Sequence, residues 1–106
     1  MKPLSIGVAV GFACWSVTAY AAERSISQKD KAFSETEVTI KVGDEIVFVN
    51  DDSITHNIQS NTAGSTFNLG AQAPGSKTSY TFKTAGEVDV GCVIHPRMKL
   101  KVTVTN

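Results

Sequence analysis

The feature that most restricts what this chain can become is an alternation of period two. In residues 37–50, EVTIKVGDEIVFVN, Val38, Ile40 and Val42 alternate with Thr39 and Lys41. Neighbouring side chains on an extended strand point to opposite faces, so this pattern predicts a strand buried on one side. Gly43 and Asp44 read as a turn, and EIVFVN as a second, more deeply buried strand closing at Asn50, Asp51 and Asp52. The pattern returns downstream. SYTFKT (79–84) places Tyr80 and Phe82 on one face, and GEVDVGC (86–92) does the same for Val88, Val90 and Cys92. In KLKVTVT (99–105) Leu100, Val102 and Val104 alternate with lysines and threonines. No segment sustains a helical period, and short strands between turns predict an all-β antiparallel sandwich or small barrel. Residues 61–75, with Ala71, Ala73 and Pro74, are the least regular and read as a loop or a distorted edge strand.

The first 21 residues follow a different logic. Lys2 forms a short basic region, an apolar run extends from Leu4 to about Val17, and Ala19-Tyr20-Ala21 is a small-x-small site. That three-part order predicts a secretory signal peptide over 1–21, cleaved after Ala21, and a single domain over 22–106 exported to the periplasm. A membrane anchor is the alternative. The run falls short of the roughly 20 apolar residues that span a bilayer, and Ser5, Ser16 and Thr18 dilute it, so no span is expected after cleavage.

Cleavage leaves 85 of the 106 residues and, because Lys2 departs, moves the formal net charge from 0 to −1. Phosphate binding needs a basic surface, so nucleic acid is excluded as the main partner. Cys14 also departs. Cys92 is then the only cysteine, without a disulfide partner in an oxidising compartment. Small exported domains often need a covalent staple or a metal, and the surroundings of Cys92 point to the second.

GCVIHPRMKLKV (91–102) holds Cys92, His95 and Met98 within seven positions. A helix would fan them around the circumference, and Pro96 would break it. A strand would put His95 on the opposite face from the other two. Only a loop between the strands ending at Cys92 and beginning near Leu100 gathers all three. The other histidine, His56, lies just after the buried EIVFVN strand, at the end of a sandwich where such loops meet. Zinc takes Cys and His but finds a thioether a poor fourth donor, and iron–sulfur clusters want several cysteines. Two His and one Cys with a weak axial Met match a blue-copper electron-transfer centre.

The chain resembles the cupredoxins, closest to the amicyanin and plastocyanin branch. VTIKVGDEIVFVN resembles the strands before the first copper histidine, and THN resembles that histidine with its asparagine. AGEVDVGCVIHPRMKLKVTV resembles the closing ligand loop, in the short Cys-x2-His-x2-Met form of amicyanin. The resemblance implies a Greek-key β-sandwich holding one copper that cycles between Cu(I) and Cu(II). It makes His56, Cys92 and His95 the strong ligands and Met98 the axial one. Asn57 would tie the His56 loop to the ligand loop, and His95 would be the more exposed ligand, the electron's exit. By resemblance, too, His95 would protonate and leave the reduced metal at low pH. Val90 departs from an aromatic usual two positions before the cysteine. Arg97 departs from a frequent Phe and makes the surface near His95 less apolar.

The function implied is a periplasmic one-electron carrier, monomeric and not an enzyme, because protein fills every metal position. Its donor and acceptor would be redox proteins, an amine dehydrogenase and a c-type cytochrome if the role is amicyanin-like. A periplasmic protein that buffers or delivers copper is the alternative left open by Val90 and Arg97. A Cys92–His95 nucleophile–base pair is disfavoured. No orienting third residue stands out, and Pro96 directly follows the supposed base.

Overall fold

The computed structural model describes residues 21–106; the expected signal peptide, apart from Ala21, lies outside the described residues. Nine strands make two sheets packed face to face: β1 (Glu23–Lys29), β2 (Ala32–Phe33), β3 (Glu37–Lys41), β4 (Glu45–Asn50), β5 (His56–Thr62), β6 (Ser65–Gln72), β7 (Lys77–Thr81), β8 (Gly86–Cys92) and β9 (Lys99–Thr105). One sheet runs β2-β1-β4-β7 and the other β3-β9-β8-β5-β6. Among the described residues there is no helix.

The sheets are mixed, which corrects the antiparallel expectation. β1 lies parallel to β4 and β3 parallel to β9. Alternation sets which face of a strand is buried, but it carries no information about neighbours or their direction. After β1 and β2 the chain crosses to the other sheet to form β3, then returns as β4 beside β1. That return is what makes the β1–β4 pair parallel.

The core is the set of inward-facing positions. Ile26, Ile46, Phe48, Ile58, Phe82 and Val102 are fully enclosed, and Val88, Val90, Cys92, Leu100 and Val104 are buried on the expected faces. Phe82 packs edge-on against Tyr80, which stacks on Phe67 with centroids 4.0 Å apart. Phe82 itself lies one residue past β7. Val42 is an exception, 41% exposed where the alternation put it inward. β3 has already ended there, and the chain turns through Gly43 at φ +95°.

The irregular stretch 61–75 resolves into β6, an edge strand paired with β5, followed by a turn. The distortion is a bulge. The register passes from Asn57↔Ala71 to Gln59↔Asn68, so β6 carries one residue more than β5 there. Gly70 accommodates it at φ +79°, with its N–H bonded to Asn68 Oδ1 at 2.8 Å.

Candidate metal centre

His56 and Cys92 sit at neighbouring strand ends, and His95 in the loop that follows. His56 is the first residue of β5 and Cys92 the last of β8. These strands are antiparallel neighbours, with Ile58 opposite Cys92, which sets His56 beside the cysteine. The loop 93–98 then folds back. Met98 N–H donates to His95 O at 2.9 Å, closing a tight turn around Pro96 and Arg97. Neither helix nor strand spans Cys92 to Met98, as the spacing requires.

The loop brings three donors together. His56 Nδ1 and His95 Nδ1 are each 3.7 Å from Cys92 Sγ, and the three ligand atoms lie within 4.8 Å of one another. A nitrogen about 2.0 Å and a sulfur about 2.3 Å from a common centre, ~120° apart, would stand ~3.7 Å from each other. The two rings are nearly edge to face, with centroids 5.0 Å apart. His56 is fully buried, Cys92 and Met98 are buried, and His95 is half-buried.

Main-chain bonds, not the Asn57 side chain, tie the two ligand-bearing segments. Asn57 N–H donates to Cys92 Sγ at 3.3 Å, and Val93 N–H donates to Asn57 O at 3.0 Å. Asn57 Oδ1 is buried without a partner. The N–H is thus aimed at the sulfur that, as thiolate, would bind a metal.

Sequence reasoning missed Asp52, which it took for an ordinary turn residue. Its Oδ2 lies 2.9 Å from His56 Nε2, and its side chain is only 10% exposed. Main-chain N–H groups of Lys31 and Ser53 also donate to it. The Lys31 N–H, followed by His56, holds the Asp52 carboxyl below its ordinary range, at about 2. An ionised carboxylate only accepts, so the shared proton belongs to His56 Nε2. In the neutral form of the ring, that arrangement leaves the Nδ1 lone pair turned toward Cys92. A histidine whose outer nitrogen is held by a carboxylate is a recurrent arrangement at metal sites. The available signal was an Asp four residues before the histidine, a spacing equally common in plain turns.

Fold and site together define a cupredoxin, a β-sandwich carrying a His-Cys-His cluster that fits a type 1 copper. The chain belongs to the copper binding proteins of the plastocyanin/azurin family, which it matches over residues 20–105. It is 29% identical over 105 residues to the methylamine utilization protein MauL of Methylorubrum extorquens, covering 98% of this chain and 92% of that one. A purple cupredoxin from Nitrosopumilus maritimus superposes with a TM-score of 0.69 at 28% identity, over 77% of this chain and 99% of that one. A reduced Cu(I) form of an amicyanin variant superposes with a TM-score of 0.71 at 25% identity, over 84% and 87%.

The donor chemistry agrees with copper. One thiolate and two imidazoles in a mostly buried pocket are soft enough for Cu(I) and sufficient for Cu(II).

Proposed function

We propose that the protein is an exported one-electron carrier whose copper would be held by His56, Cys92 and His95, with Met98 as a fourth, weaker donor. The observation that carries this reading is the convergence of both Nδ1 atoms on Cys92 Sγ at 3.7 Å. Copper, when bound, supplies a centre that gains and loses one electron.

The protein's own part is to hold the donors still and keep water away. Asp52 sets the His56 ring, Asn57 N–H bonds the sulfur, and Met98, at the close of the same loop, is enclosed at 2% exposure. A rigid donor set limits rearrangement between oxidation states. His95 is the half-buried member, with Val93 and Ile94 exposed at 51% and 53% next to it. That edge is where a redox partner would approach through a small, brief contact. With four protein donors no position stays open for a substrate, so the protein is a carrier and not an enzyme.

Similarity to a methylamine utilization protein supports an amine dehydrogenase as donor; a c-type cytochrome as acceptor, a monomeric state and a periplasmic location rest on the amicyanin-like form of the ligand loop alone. Ala22 supports processing after Ala21. Its N–H donates to Asp44 Oδ1 and its carbonyl accepts from Glu45 N–H, both at 2.9 Å, so the first residue expected after cleavage is already hydrogen-bonded into the sandwich. No helix among the described residues is long and apolar enough to cross a membrane.

The test is a visible spectrum of residues 22–106 with one equivalent of Cu(II), repeated with Cys92→Ser. The expected result is an intense blue, green or purple band that reductant bleaches and the variant lacks. Tight copper binding without such a band would overturn the carrier reading in favour of copper buffering or delivery.

A further inference from the structure

Asp52 links the metal centre to a turn on the other sheet. The turn joins β1 to β2 through Asp30 and Lys31, at φ 52° and 59°, between the paired residues Lys29 and Ala32. Two successive left-handed residues in a two-residue hairpin form the turn that normally takes Asn-Gly or Asp-Gly. Asp30 suits its position. Lys31 does not, because it has a Cβ and no short polar side chain to offset the left-handed backbone. The conformation is held nonetheless, and in it Lys31 N–H reaches Asp52 Oδ2 at 3.0 Å. The same oxygen receives His56 Nε2 at 2.9 Å.

We propose that the Asp30–Lys31 turn and Asp52 form a positioning relay that presets the His56 ring for its metal. The relay rests on the reading of His56 as a ligand. The turn fixes the carboxylate and the carboxylate fixes the ring. Two donors converge on Oδ2, Ser53 N–H occupies Oδ1 at 2.9 Å, and the Asp52 N–H is anchored on Asn50 Oδ1 at 2.9 Å. Rotating the carboxylate would break bonds to β5, to the β1–β2 turn and to its own loop together. In its neutral form the ring is therefore set with Nε2 toward the carboxylate and the Nδ1 lone pair toward Cys92 before any metal arrives. Asp52 touches no metal; it acts through His56.

Nuclear magnetic resonance of the copper-free protein tests this at about pH 8, where a free imidazole is neutral. Wild type is expected to show His56 protonated at Nε2 alone. Its Lys31 amide should exchange about tenfold or more slower than an open turn amide. Asp52→Ala should mix the tautomers, release the Lys31 amide and weaken Cu(II) binding by roughly 10- to 100-fold. Asp52→Asn, which keeps an acceptor oxygen, should restore the tautomer. Lys31→Gly, which keeps the N–H and relaxes the backbone, should leave both signals in place. A mixed or Nδ1-protonated His56 in wild type would overturn the relay, as would an unprotected Lys31 amide. The wild-type signals decide the matter even if Asp52→Ala does not fold. They are read without metal. An intact relay in a protein lacking the thiolate–copper band would thus overturn the ligand assignment and leave the ring-setting role standing.

Discussion

The two segments that carry the histidines are built on opposite plans. The β4–β5 connection, residues 51–55, is held by side-chain hydrogen bonds. Asn50 Nδ2 donates to Ile54 O at 2.9 Å and to Gln72 O at 2.8 Å, while Asp52 bonds His56 and the β1–β2 turn. His56 is sealed from solvent as a result. The β8–β9 connection, residues 93–98, relies on a proline, one tight turn and main-chain bonds at its ends. Its apolar tip, Val93 and Ile94, faces water. On the proposed reading, the ligand that must not move is framed by polar groups, whereas the one that would meet a partner sits on a short loop with its apolar surface outward.

Asn50→Ala should break the framed side most severely. It strands a buried and a part-buried carbonyl and the Asp52 N–H, so copper-free stability should fall by roughly 3 kcal/mol, measured by chemical denaturation. A loss near zero would mean that the frame does not depend on these bonds. Gly91→Ala probes the open side. A Cβ there would stand 3.2 Å from Met98 O, so the ligand loop must shift by a few tenths of an ångström. The expected cost is about 1 kcal/mol, with a displaced visible band in the copper form.

The far end of the sandwich supplies a contrast free of the metal. Asp44 accepts hydrogen bonds from the main-chain N–H groups of Lys41 and Ala22, and these, Lys41 first, hold its carboxyl below the ordinary range. Because the folded state lowers this value, its stabilisation is full above the unfolded carboxylate's value near 3.8 and is lost as pH falls. Asp44→Asn should therefore lower stability at neutral pH and flatten the acid limb of the melting profile without changing the copper spectrum. The smallest effect is expected for Ile94→Ser. Stability should stay within about 0.5 kcal/mol, while electron self-exchange between two copies slows if this tip is the contact surface.

What could be read from residues alone follows the same divide. Strands whose inner face is aliphatic, such as EVTIK and KLKVTVT, were legible because burial writes itself into alternation. β1 was not, because ERSISQK places a glutamine, Gln28, fully inside. β5 was missed for a similar reason: HNIQSNT reads as a polar loop, yet its Ile58 and Ser60 are buried. The loop of Cys92, His95 and Met98 was legible because proline and spacing exclude regular structure. The role of Asp52 was not. It depends on Lys31, 21 positions earlier in the chain, and no local pattern records that meeting. Parallel pairing was hidden for the same reason.

The place of β9 bears on how the molecule is assembled. It is the last of the described strands, yet it lies second in its sheet, between β3 and β8. Until residues 99–105 are available, β3 has no partner and β8 shows an open edge. Ladders between such distant segments close slowly, since the intervening chain must first be brought together. Folding thus completes only once the C-terminal strand slots in, and the same event draws the preceding loop, with His95 and Met98, across the end of the sandwich. Pairing of β9 with β3 and β8 and placement of the proposed ligand loop thus depend on the same stretch of chain.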